Sequence, residues 1–90
     1  MATTTLNFIE KDGTWQASYI SSGLCVVELE REEGGVVSIL ANIQGMRAVP
    51  VMQHRNGYTS DAILKINVPS GIEVTIKSQT EVKNGKIMTS

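Results

Sequence analysis

The stretch Ala62-Ile63-Leu64-Lys65-Ile66-Asn67-Val68-Pro69-Ser70-Gly71-Ile72-Glu73-Val74-Thr75-Ile76-Lys77-Ser78 decides the fold. Before Pro69, Ala62, Leu64, Ile66 and Val68 alternate with Ile63, Lys65 and Asn67; after Gly71, Ile72, Val74 and Ile76 alternate with Glu73, Thr75 and Lys77. A period of two sends successive side chains to opposite faces of an extended chain, so each run reads as a half-buried strand. Between them, proline presets φ and glycine accepts a positive φ, the chemistry of a turn.

The same punctuation recurs outward along the chain. Asp12-Gly13, Ser22-Gly23, Gly34-Gly35, Gln44-Gly45, Asn56-Gly57, Ser70-Gly71 and Asn84-Gly85 cut 90 residues into about eight segments, at intervals of 10 to 14. Most segments are rich in Val, Ile, Thr or aromatics, and no helical period survives the interruptions. The sequence therefore predicts one all-β domain over 1–90, a small antiparallel β-sandwich or jelly-roll-like barrel of about eight short strands.

Each segment adds an expectation. Thr3–Glu10 forms one strand with Leu6 and Phe8 on a shared face, and Lys11-Asp12-Gly13-Thr14 reverses into Trp15–Ser21, where Trp15, Ala17 and Tyr19 alternate with Gln16, Ser18 and Ile20. Leu24–Arg31 starts apolar on both faces and ends in water through Glu28, Glu30 and Arg31. Glu32-Glu33-Gly34-Gly35 turns into Val36–Ile43, with Val37, Ile39, Ala41 and Ile43 facing one way. Asn56-Gly57 is a hairpin signal opening Tyr58–Val68, and Asn84-Gly85 allows a last short strand around Ile87 and Met88.

Composition sets limits. Hydrophobic residues make up 41% of the chain but only four are aromatic, so the core must be aliphatic. Cys25 is the only cysteine, which rules out an internal disulfide, and its neighbours Leu24, Val26 and Val27 read as a buried, inert thiol. Met1-Ala2-Thr3-Thr4-Thr5 has no basic n-region and no apolar h-region follows it, so synthesis in a cytoplasm without secretion is expected. No apolar run approaches the roughly 18 residues of a membrane span. A net charge of −1 lacks the electrostatic drive for sequence-independent nucleic-acid binding. Residues 1–45 carry −4 and residues 46–90 carry +3. That split either orients neighbouring copies of the chain, as in a homo-oligomer, or lies on solvated strand faces.

Little here reads as catalysis. His54 is the sole histidine, so zinc sites built from several histidines or thiolates are excluded, and a Cys25–His54 dyad has no electropositive residue next to Cys25. Phosphate-cradling glycine motifs are absent. Glu28, Glu30, Glu32 and Glu33 lack the Asp-rich spacing of a calcium loop and read as a solvated strand end. Trp15, Tyr19 and Tyr58 invite a sugar-stacking reading, yet Trp15 and Tyr19 share a face with Ala17, which suits core packing better. No catalytic, cofactor-binding or metal-binding residue is expected.

Met46–His54 stands apart. Ala48, Val49, Val51 and Met52 put apolar side chains on both faces around Pro50, and proline cannot donate to a ladder. The segment belongs at a sheet edge or in an extended loop, and an edge there is either tucked under a neighbouring loop or docked on another protein. Met46, Val49, Pro50, Val51 and Met52 are the candidate partner-binding residues.

Phe8-Ile9-Glu10-Lys11-Asp12-Gly13-Thr14-Trp15-Gln16-Ala17, Val26-Val27-Glu28-Leu29-Glu30-Arg31 and Gly34-Gly35 resemble small all-β auxiliary capsid (decoration) or head-fibre proteins of tailed, crAss-like bacteriophages. The resemblance covers roughly the first 45 residues. It implies a non-enzymatic virion protein that binds the major capsid protein or another virion component. The alternative is a carbohydrate- or other ligand-binding β-sandwich module.

Overall fold

In the computed structural model, which describes residues 2–55 and 61–89, the alternating segments are strands. They are β1 (Ala2–Leu6), β2 (Ile9–Lys11), β3 (Thr14–Ile20), β4 (Gly23–Arg31), β5 (Val36–Asn42), β6 (Val49–Arg55), β7 (Ala62–Val68), β8 (Glu73–Ser78) and β9 (Val82–Thr89). They form two antiparallel sheets, β1-β9-β4-β7 and β2-β3-β8-β5-β6. Only β2–β3 and β5–β6 connect neighbours within a sheet; every other connection crosses to the opposite sheet. With the short β2 set aside, two four-stranded sheets wound in this order make a jelly roll.

The ninth strand arises near the start. The expected single strand Thr3–Glu10 breaks at Asn7-Phe8 into β1 and β2, which lie in different sheets while running in the same direction. Strands that turn a sandwich corner bend in this way. Ser22-Gly23, Gly34-Gly35 and Ser70-Gly71 are likewise corners between sheets rather than hairpins. Among the described residues the true hairpins are two. Asp12 (φ 53°) and Gly13 (φ 82°) join β2 to β3 in a primed turn, and Met46 N–H donates to the Ile43 carbonyl at 2.9 Å between β5 and β6. The expected Asn56-Gly57 hairpin and Tyr58 lie outside the described residues, and the flanking β6 and β7 belong to different sheets.

Asn84-Gly85 is not a turn. Gly85 sits within β9, opposite Leu6 on β1 and Leu29 on β4. A Cβ there would stand 2.6 Å from Phe8 Cε1, so the residue is bare because an aromatic ring lies against it.

The core between the sheets is aliphatic, as composition predicts. Val27, Leu29, Val37, Ile39, Val74 and Ile76 are wholly buried, while Phe8, Trp15 and Tyr19 pack half-buried against them. Ala62, Leu64, Ile66 and Val68 point inward as read.

β4 differs from expectation at both ends. Leu24 is 47% exposed, so the start of the strand is not buried on both faces, and Arg31 is buried rather than solvated. Strand parity explains both: Cys25, Val27, Leu29 and Arg31 share the inward face. A bulge opposite Arg31 pairs it with Val82 and leaves Lys83 as the extra residue. Arg31 Nη1 donates to the Gly35 carbonyl (3.3 Å), Ser78 Oγ (3.2 Å) and Thr80 Oγ1 (3.4 Å), and the Arg31 backbone N–H donates to Asp61 Oδ1 at 3.1 Å. Burial lowers the guanidinium pKa while the Asp61 carboxylate raises it. The arginine closes one end of the sandwich.

Candidate docking surface

Proline at an edge and apolar residues on both faces single out Met46–His54, and β6 is indeed the last strand of its sheet, paired only with β5. The register explains how the segment carries so many apolar side chains. Ile39 faces Met52 and Leu40 faces Pro50, which leaves Val51 as an extra, bulged residue. Met52, opposite Ile39, packs half-buried against the core; past the bulge Pro50 shares the outer face with Leu40, while Val49, opposite Ala41 at the end of the ladder, stays 53% exposed and the bulged Val51 42%. Pro50 and Met46 are exposed too. Four of the five candidate residues are therefore exposed, while Met52 packs toward the interior.

The free edge of β6 is poorly suited to accept another strand. Pro50 offers no N–H and the bulge at Val51 breaks the ladder, two devices that blunt strand addition. What remains on offer is apolar side-chain surface.

A larger pattern emerges when the strands are laid side by side. The β3–β4, β5–β6 and β7–β8 connections meet at one end of the sandwich. Ile20, Leu24, Ile43, Met46, Val49 and Met88 all lie at or near that end and are all exposed. Ile43 was expected on the inward face with Val37 and Ile39, but it lies just past the end of β5 and is 49% exposed. The opposite end, carrying the β2–β3, β4–β5 and β8–β9 connections, holds Asp12, Glu32, Glu33 and Glu81. Lys83 reaches Glu81 at 3.2 Å and Glu32 at 3.9 Å there, and these neighbours raise its pKa. The split of charge between sequence halves does not become a split in space, because β4 from the first half sits between β9 and β7 from the second. Instead several acids gather at the end opposite the apolar one, with Lys11 and Lys83 among them.

The other candidate chemistry is dispersed. Cys25 is buried, and the Tyr19 hydroxyl lies 3.3 Å from its sulfur. Desolvation, then the contact with Cys25, pushes the Tyr19 phenol well above its ordinary value of 10.0. The histidine of a Cys25–His54 dyad has its side chain outside the described residues. Trp15 and Tyr19 face the core on β3, so neither offers an open stacking face. Glu28 and Glu30 share the outward face of β4, with Glu28 in register beside Lys86. Among the described residues no three metal-ligating side chains converge.

Comparison with known proteins adds no relative: no family model, no characterised protein and no solved structure matches the chain.

Proposed function

We propose that this protein is a non-enzymatic structural component of a virion, an auxiliary capsid protein that binds the lattice of the major capsid protein through the β6 edge. The observation that carries the reading is the exposure of Val49 and Val51 on an edge strand that Pro50 and the bulge at Val51 make a poor acceptor of another strand. Aliphatic side chains held in water next to a free edge favour burial against another surface. Attachment at one edge gives a small footprint, and a repeating lattice compensates by multivalency once copies are linked. The fold alone does not choose the function, since jelly rolls serve capsids and lectins alike. The inward packing of Trp15 and Tyr19 weighs against the carbohydrate alternative.

The test is co-sedimentation with assembled particles. Val49→Asp with Val51→Asp alters only exposed side chains, so the domain should stay folded while binding is lost. Unchanged sedimentation with particles would dismiss the proposal.

A further inference from the structure

The apolar end of the sandwich is complementary to itself. Ile20, Ile43 and Met46 stand 64%, 49% and 68% exposed around an open groove of about 500 Å³, whose lining also includes Asn42 and Glu73. Single exposed aliphatic residues are ordinary on a protein surface, but three around one groove make a patch. Glu73 accepts a long hydrogen bond from Asn42 Nδ2 at 3.5 Å. Next to Met46 in the chain, Arg47 is exposed. Among the described residues these are the charged side chains beside the groove, and neither takes part in an ion pair; Lys65 lies away from it, across β4 from Met88.

We propose that this end docks onto the same end of a second copy of the chain. A two-fold axis through the groove sets Arg47 of each copy against Glu73 of the other, and the aliphatic residues cover each other between the two pairs. An isologous contact requires one patch to carry both halves of every complementary pair, and this patch carries one acid, one base and an apolar centre. The contact leaves the outer edge of β6 free, so a dimer would offer a lattice two attachment points.

The molecule measures 32 × 31 × 20 Å. An end face of that size can cover roughly 600 Å² per copy, toward the low end of specific interfaces, so the dimer should be reversible and concentration-dependent. Sedimentation velocity on the isolated chain, without particles, reads this directly and independently of capsid binding. The expected result is a monomer–dimer equilibrium in the micromolar range. Arg47→Glu alone and Glu73→Arg alone should each weaken it at least tenfold, and the double exchange should restore it to within about threefold. Both sites are exposed, and an unchanged thermal transition confirms that each variant is folded. A chain that stays monomeric at millimolar concentration overturns the proposal, as does a dimer indifferent to the single exchanges or not rescued by the double one. Loss of particle binding in these variants with no change in self-association would assign the end to the particle and equally refute the proposal.

Discussion

Gly85→Ala isolates one packing contact and tests it against an opposing backbone effect. The new Cβ would lie 2.6 Å from Phe8 Cε1, 3.0 Å from Phe8 Cδ1 and 3.5 Å from Leu29 Cδ2. Ordinary carbon contacts begin near 3.5 Å, so the Phe8 ring must retreat by about 1 Å. Displacing packed atoms in this way costs roughly 1–3 kcal/mol. In the opposite direction, replacing a strand glycine by alanine restricts the unfolded chain and returns roughly 0.5–1 kcal/mol. The steric effect wins, and a net loss of about 1 kcal/mol should lower Tm by about 4–8 °C in a domain of this size. Urea unfolding followed through the single tryptophan, Trp15, measures the change. The decisive control is Phe8→Ala. In that background the ring is gone, so Gly85→Ala should become neutral or slightly stabilising, with a coupling energy near 1 kcal/mol or more. Additive effects within about 0.3 kcal/mol, or a stabilised single variant, would refute the account of why this strand carries a glycine.

Three further outcomes follow from the same coordinates. Val51→Asp should shift urea stability by less than about 0.5 kcal/mol, whereas Met52→Asp, which puts a carboxylate against the core, should destabilise the fold by roughly 2 kcal/mol or more. Equal effects would mean that the bulge does not separate the two side chains. Tyr19 has a raised phenol pKa in the fold, so its stabilising contribution is whole below pH 10 and is lost as the pH climbs from 10 toward the folded value. Tyr19→Phe should therefore flatten the fall in stability above pH 10, and identical alkaline profiles would contradict the burial of the hydroxyl. Cys25, enclosed on β4, should react with a thiol reagent only as fast as the fold opens, and rapid labelling of native protein would show an accessible thiol.

How far the structure was legible depended on whether the deciding interaction was local. The alternation through Ala62–Val68 and Ile72–Ser78 placed inward and outward residues correctly, because burial on one face of a strand repeats every second residue. Asp12-Gly13 declared its hairpin because the turn itself demands positive φ. Pro50 narrowed its segment to an edge or a loop because the missing N–H is a property of the residue, and the segment is the edge strand β6. Sheet switching left no such mark: Ser70-Gly71 looks the same whether the next strand pairs beside the last or crosses to the opposite sheet. Gly85 was misread because glycine serves both turns and close approaches, and only the distant Phe8 distinguishes the two uses. Arg31 was legible in principle, since the parity of Cys25, Val27 and Leu29 points it inward, but its charge argued for water. The candidate surface was half visible. Val49 and Val51 stood out beside Pro50, whereas Ile20, Ile43 and Met88 joined them only once three separate connections had met at one end.

Strand β9 fills the gap between β1 and β4, so the last of the described strands is a central member of its sheet. A chain emerging from a ribosome can zip β2 to β3 and β5 to β6 early, but it cannot seal the layer containing Cys25, Val27 and Leu29 until Val82–Thr89 has been released. Such long-range closure slows folding relative to local pairing. Throughout that delay the edge of β4 that faces away from β7 stays unpaired, and it is during synthesis, rather than after folding, that this molecule is most exposed to irreversible clumping.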